Sequence, residues 1–368
     1  MNNTQIKINK IIEELSNYIN EFVVKREDTL GLSIALVNDT RILWAEGFGY
    51  TDQNKSEKVT TETLFSSQSI GKCFTATAFL ILANKGLINL DDSIREYFPE
   101  FSINTLYGNP ADEIAKITSR RLLSHTAGFT HEAITGNNYD YTECTFDEHV
   151  QSIMKGWLKS PVGSEISYSN LGYDLTGYVM GLIRNKTFTE VMTEELFQPL
   201  EMTTATYNIT LAQKKSFARG FDGKFAYPSV QIPMLGAGGI FISVLDAAKL
   251  ISFHLRRGCN RGEQIIKQEL FDEMYKPQFK HEKDFGYGFG LYSIEIKEGA
   301  KVYGHSGGGY GYQTIMIWIP DFKIGVAVLS NNMKHSRVGS IARKALDLML
   351  KDILEVEKEY SKFEKLKR

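Results

Sequence analysis

The chain has 368 residues, 42% of them hydrophobic, enough to bury one large core or two lobes, and nothing in its composition marks disorder or a fibre. Its 42 basic and 44 acidic side chains leave a formal net charge of −2, which gives no electrostatic reason to expect nucleic acid or an anionic membrane as partner. A small molecule or short peptide suits that balance better.

At the amino end Ile8, Ile11, Ile12, Leu15, Ile19 and Phe22 recur at helical spacing among charges, so the segment reads as an amphipathic helix and not a signal peptide. No run reaches the roughly 18 apolar residues of a membrane span, and a cytoplasmic location is expected. Cys73, Cys144 and Cys259 are too scattered for a disulfide framework or a zinc site and read as reduced core thiols. Residues 32–37 and 41–48 are strand-like runs around Asn38-Asp39-Thr40, a good hairpin turn.

Ser69-Ile70-Gly71-Lys72 then sets a hydroxyl and an amine three residues apart at the start of an apolar segment, 73–83, that reads as a buried helix ending at Gly86. Residues three apart share a helix face with Cβ atoms about 5–6 Å apart, so the Lys72 amine can reach the Ser69 hydroxyl. The chemistry requires Lys72 to be uncharged for part of the cycle, which burial in a cleft wall favours. The plainer alternative makes Ser69 a helix-start residue and Lys72 a solvated one.

Tyr168-Ser169-Asn170 sits where a loop re-enters a helix near Leu171. As a cap, Ser169 or Asn170 bonds the helix start. As chemistry, a tyrosine oxygen can move a proton, and an asparagine amide can hold a substrate carbonyl or the lysine amine. A late block of strands follows at 287–296, 301–303, 313–319 and 324–329, with turns at Lys297-Glu298-Gly299 and Pro320-Asp321-Phe322, then a helix over about 338–354. After Glu355 the Lys/Glu-rich end reads as a solvated helix end or fraying tail.

The two strand blocks are satisfied by joining into one antiparallel sheet packed by the first and last helices, an α+β fold. On this reading 1–66 plus 281–368 form the sheet lobe and 67–280 an inserted, mainly helical lobe. A ligand cleft belongs at their boundary, where Ser69 meets Gly304-His305-Ser306-Gly307-Gly308-Gly309-Tyr310-Gly311. So much glycine is either a flexible hairpin or a strand edge open to close approach by an acyl group, with a backbone N–H near Gly308 joining that of Ser69 as an oxyanion hole.

The order Ser-x-x-Lys, Tyr-Ser-Asn, His-Ser-Gly resembles the penicillin-recognising serine hydrolases: class C β-lactamases, DD-peptidases and related esterases. The resemblance runs along most of the chain, through Phe65-Ser66-Ser67-Gln68, through 84–92, through Arg121-Leu122-Leu123-Ser124-His125-Thr126-Ala127-Gly128, and through Gly236-Ala237-Gly238-Gly239-Ile240. It implies a β-lactamase/transpeptidase-like fold, acyl-enzyme hydrolysis of an amide or ester, and no cofactor or metal. Ser69 is then the nucleophile, Lys72 its proton acceptor and Tyr168 the second acid/base. Asn170, His305, Ser306, Gly307 and Gly308 bind substrate or oxyanion. His305 takes the place of a lysine in the β-lactamases, so the site lacks a fixed positive charge. In this it looks more like DD-peptidases, D-aminopeptidases and broad esterases.

Gly304-His305-Ser306-Gly307-Gly308 also fits Gly-x-Ser-x-Gly, with Asp321 and His335 following in α/β-hydrolase order, but an elbow serine needs a helix after it and a strand-like run follows instead. His125 and His131 lack the spacing of a zinc helix. A penicillin-binding sensor that is acylated with little turnover would keep the same residues. Specificity is expected in loops 130–145 and 220–233, where Tyr139, Tyr141, Phe221, Phe225 and Tyr227 are candidates to line an apolar cleft.

Overall fold

Two blocks of chain, one near each end, meet in a single seven-stranded antiparallel sheet. The computed structural model describes residues 3–23, 30–279, 285–296, 299–334 and 337–366. The sheet strands are β1 (Gly31–Asn38), β2 (Ile42–Gly49), β3 (Phe285–Tyr287), β4 (Tyr292–Glu295), β5 (Lys301–Gly309), β6 (Tyr312–Ile319) and β7 (Ile324–Ser330), in the order β2-β1-β7-β6-β5-β4-β3. β1 closes the long-range join against β7, with Leu32 opposite Ser330 and Asn38 opposite Ile324. The β1–β2 turn is held by the Asn38 carboxamide oxygen, which accepts from the Thr40 and Arg41 amides.

Side chains on β1, β6 and β7 alternate between the two faces, and both faces are covered there; β2 departs from the pattern at a register shift opposite Leu36 and Val37. Leu32, Ile34, Leu36, Ile315, Ile317, Val326 and Val328 point to α1 (Asn3–Val23) and α5 (Val338–Leu366), where Leu15, Ile19, Ile341 and Ala345 are buried against them. Ala35, Val37, Met316, Trp318 and Leu329 belong to the other core, shared with α2 (Gly71–Asn84), α3 (Asn170–Arg184) and α4 (Val244–Leu255). Burial on both faces is why β6 and β7 read as continuous apolar runs. α4 comes from the middle of the chain yet packs on β1 and β7.

Three expectations need correction. Residues 287–296 do not form one strand: the chain breaks between β3 and β4, where Gly290 takes φ +72° and lies so close to α2 that a Cβ there would meet the Lys72 carbonyl at 2.6 Å. The strand expected at 301–303 continues to Gly309, and the hairpin turn is Tyr310-Gly311, both left-handed as a tight two-residue turn requires. Of the cysteines only Cys73 is fully buried, and Cys144 and Cys259 are half-exposed. The expected turn at Lys297-Glu298 lies outside the described residues, as does His335. Among the described residues, no helix is long and apolar enough to cross a membrane.

His254 of α4 ties the layers together. Its ring packs on Trp318 of β6, and its nitrogens lie 3.1 Å from Thr77 Oγ1 of α2 and 2.8 Å from Tyr275 Oη. Burial pushes this imidazole down from 6.5 to about 3. The unfolded chain takes up a proton near 6.5, so the stability contributed by neutral His254 is complete above that pH and is lost as pH falls toward 3. The melting temperature is expected to fall on acidification from about pH 7 to about pH 4. His254→Gln should melt lower at neutral pH but show a shallower fall, and a slope equal to the wild type would contradict this assignment.

Candidate active site

Ser69 does not lie in α2 itself but in a tight 3-10 turn, Gln68–Ile70, that feeds it. The turn is set by its surroundings. Ser67 N donates to the Ile240 carbonyl at 2.7 Å, Ser67 Oγ to the Gly238 carbonyl at 3.0 Å, and Thr314 Oγ1 of β6 to the Ser67 carbonyl at 2.6 Å. Gln68 pays a conformational cost, with φ +50°, and its side chain bonds Ser66 Oγ. Ser69 is left partly exposed at the surface of a rigid core.

Lys72, one turn on, is fully buried, and its Nζ has three neutral oxygen partners: Asn170 Oδ1 at 2.7 Å, the Ala237 carbonyl at 3.0 Å and Ser69 Oγ at 3.3 Å. An ammonium donates to all three. A neutral amine has two N–H bonds and one lone pair, and the two carbonyl-type oxygens can only accept. They therefore take the N–H bonds and leave the lone pair for the Ser69 hydroxyl.

Both carbonyl-type oxygens are held from behind. Ser169 caps α3, its Oγ accepting from Leu171 N and donating to the Thr130 carbonyl, which places Asn170 at the first helical position. Asn170 Nδ2 donates to Glu132 Oε1 at 2.8 Å, which fixes the amide flip. Burial pushes the Glu132 carboxyl up. Asp174, wholly buried, accepts Ala237 N at 3.0 Å and lies 3.0 Å from His149 Nε2. Tyr168 stands at the mouth, 37% exposed, with its ring centroid 5.0 Å from Lys72 Nζ and 4.3 Å from the His125 ring.

β5 forms the opposite wall. β4 pairs with it only from Lys301 to Gly304, so 305–309 have β6 on one side and the Gln68–Ile70 turn near the other. A small cavity there is lined by Gln68, Ser69, Asn138, Asn170, Met234 and Gly308. His305 is buried, with Nδ1 2.6 Å from the Ser306 carbonyl, and burial together with the charge of Lys72 pushes it down to about 3.

The structure thus gathers Ser69, Lys72, Tyr168, Asn170, His305, Gly307 and Gly308 around one cleft. Ser306 is exposed within a strand that runs into another strand, so no nucleophile elbow exists, and Asp321 lies in the turn beyond β6. Of the aromatic candidates, Tyr141 packs between Tyr227 and Tyr310, and Phe225 packs on Tyr227. Tyr139 is exposed, whereas Phe221 is a core residue at 2% exposure. The Ala237 carbonyl, Gln68, Glu132 and Asp174 were not singled out from sequence for these contacts: a carbonyl has no residue signature, and the others act through partners distant in the chain. Among the described residues no group of three or more His, Cys, Asp or Glu side chains is placed to hold a metal.

A family model described as "Beta-lactamase" matches residues 9–349, and the chain belongs to that family, one of serine hydrolases. Among curated proteins, "Protein flp" of Staphylococcus aureus (strain N315) is 30% identical over 237 residues, 63% of this chain and 44% of that protein. "Beta-lactamase-like protein 4" of Dictyostelium discoideum is 27% identical over 326 residues, 82% of this chain and 57% of that protein. The chain spans about half the length of these relatives. The octameric penicillin-binding protein homologue from Pyrococcus abyssi superposes with a TM-score of 0.80 at 27% identity, covering 92% of this chain and 77% of that one. D-amino acid amidase from Ochrobactrum anthropi SV3 shares the fold, with a TM-score of 0.75 at 20% identity over 94% and 99% of the two chains.

The approach of β5 to the nucleophile turn is testable at two adjacent glycines. A Cβ on Gly307 would lie 2.4 Å from Thr314 Oγ1 and 2.8 Å from both the Ser67 carbonyl oxygen and Ser69 N, whereas one on Gly308 meets nothing within 4 Å. Gly307→Ala is expected to lose about 1–3 kcal/mol of stability by overpacking, and Gly308→Ala to stay within about 0.5 kcal/mol of wild type. Denaturant unfolding of the two variants reads this directly, and equal losses would contradict the geometry.

Proposed function

We propose that the protein hydrolyses amide or ester bonds of small molecules or short peptides through an acyl-enzyme on Ser69. The observation that carries this reading is the arrangement of Lys72: buried, with two N–H acceptors fixed at Asn170 and Ala237 and its third direction aimed at Ser69 Oγ. In the proposed cycle Ser69 Oγ bonds to the substrate carbonyl carbon while its proton passes to Lys72. The oxyanion is held by the backbone N–H groups of Ser69 and Gly308, each such donor being worth about 2.7–4 kcal/mol in the transition state. The leaving amine or alcohol takes its proton through Lys72 and Tyr168, whose ring lies beside Nζ. Water then attacks the acyl group, and the proton steps run in reverse.

His305 bears on substrate class. With its imidazole pushed down to about 3, the third motif presents a neutral ring where a lysine would offer a fixed charge to a substrate carboxylate. This supports peptide, amide or simple ester substrates over efficient β-lactam turnover.

A panel of D-amino-acid amides, short-chain p-nitrophenyl esters and a chromogenic cephalosporin tests the reading. Wild type should turn over an ester or amide faster than the cephalosporin. Because residues acting as a unit lose their effect together, Ser69→Ala and Lys72→Ala should each lower acylation on the order of 10³-fold or more. Near-normal turnover in Lys72→Ala would remove the lysine from the mechanism, and single labelling by a fluorescent penicillin without turnover of any substrate would favour a sensor.

A further inference from the structure

Behind the cleft, three buried titratable groups that take no part in the proposed proton transfer form one continuous chain. Tyr287, at the end of β3, is 5% exposed, and its Oη lies 3.0 Å from His125 Nε2 and 3.1 Å from His305 Nε2. The other nitrogen of each imidazole meets a backbone group with only one possible role. The Ser169 amide can only donate, so His125 Nδ1, 3.2 Å away, is the acceptor, and the neutral ring carries its proton on Nε2. The Ser306 carbonyl can only accept, so His305 Nδ1, 2.6 Å away, is the donor, and Nε2 is bare.

Those two ends settle the middle. His125 Nε2–H donates to Tyr287 Oη, and the Tyr287 hydroxyl donates to His305 Nε2, so all four bonds point the same way from Ser169 to Ser306. Tyr173, the neighbouring phenol, is also hydrogen-bonded to the Tyr287 hydroxyl, but its own proton goes to the Leu123 carbonyl at 2.5 Å, so it cannot supply the donor that the bare His305 Nε2 needs. Burial and the charge of Lys72 keep both imidazoles neutral, and burial keeps the Tyr287 hydroxyl protonated. Every donor and acceptor along the line is used, the condition under which a buried polar network is rigid and not costly.

What the chain joins gives it a use. Ser169 N belongs to the peptide that follows Tyr168, whose ring also packs at a tilt against His125. The Ser306 carbonyl belongs to the peptide that leads into Gly307 and Gly308. We propose that Tyr287 is a positioning residue: its hydroxyl bridges His125 and His305, whose opposite neutral tautomers the two backbone partners fix, and so holds the Tyr168–Ser169 segment and the Ser306–Gly308 strand edge in register across the Ser69 cleft. This rests on the hydrolase reading above for its catalytic consequence. Tyr287 touches no reacting atom. It acts by keeping Tyr168 and the oxyanion donors where a misplacement of about 1 Å costs up to roughly 10²-fold in rate.

The test has two arms. In wild type, ¹⁵N shifts of labelled histidines should show His125 protonated on Nε2 and His305 on Nδ1, assigned by loss of each signal in His125→Gln and His305→Gln. Tyr287→Phe keeps the ring but leaves two buried nitrogens without a partner. It should shift the two Nε2 signals from their bridged wild-type positions, and with p-nitrophenyl acetate it should show kcat lower by about 10- to 100-fold with KM within about twofold, in a protein whose circular dichroism confirms that it is folded. The opposite tautomer at either histidine overturns the proposal even if the phenylalanine variant does not fold. A folded Tyr287→Phe with kcat within twofold of wild type overturns it as well. If Ser69→Ala leaves p-nitrophenyl acetate turnover untouched, the hydrolase reading fails, while the ring-nitrogen shifts still decide the hydrogen-bond chain on their own.

Discussion

A fully buried lysine whose amine is bonded only to neutral oxygens is the constraint around which the rest of this structure is arranged. Taking an ammonium out of water is expensive unless each of its donors finds an acceptor, and here they do. The acceptors come from three parts of the chain: the turn before α2, the first residue of α3 and the 236–240 segment. Each is backed in turn. Glu132 holds the Asn170 amide, and Asp174 holds the Ala237 peptide. At His149, burial opposes protonation, but the hydrogen bond and charge of Asp174 outweigh it and raise the imidazole, and the pair braces the Ala237 turn.

On the sheet side the protein supplies geometry more than charge. β5 has a free edge from His305 to Gly309 because β4 stops pairing at Gly304, and the absence of a side chain at Gly307 lets that edge approach the Ser69 amide. The groups that would stabilise an oxyanion are backbone N–H groups on two elements that meet only in the folded state. His305, on that edge, is neutral and hydrogen-bonded at both nitrogens. The cleft therefore offers a strand edge and main-chain donors, with Lys72 as its one buried amine.

Much of this was legible in the sequence because it is local or periodic. The first hairpin, the alternating strands and the amphipathic first helix follow from patterns over a few residues, and Ser69 and Lys72 face each other because they are three apart. Ser169 and Asn170 both read as candidate caps; Ser169 is the cap, and Asn170, the residue after it, is the lysine partner. Where the reading failed, long-range packing had the last word. The break at Gly290 exists because β3–β4 must clear the Lys72 carbonyl, and the continuation of β5 through its glycines exists because β6 supplies hydrogen bonds along its length. Phe221 was placed in a cleft on residue type alone, whereas its burial depends on contacts that no local pattern encodes. The same holds for Tyr287, which stands 162 residues from His125 in the chain.

The central claim, that Lys72 must accept the proton of Ser69, is tested most directly by replacing the amine with a cation that cannot give up its own proton. Arginine keeps the positive charge and the donors but stays protonated throughout the working range. Intact-mass and peptide-mapping measurement of the acyl group trapped from an activated ester should place it on Ser69 in the wild type and find no such adduct in Lys72→Arg over the same time. An adduct on Ser306 or another residue in the wild type, or acylation of Lys72→Arg at the wild-type rate, would contradict the account.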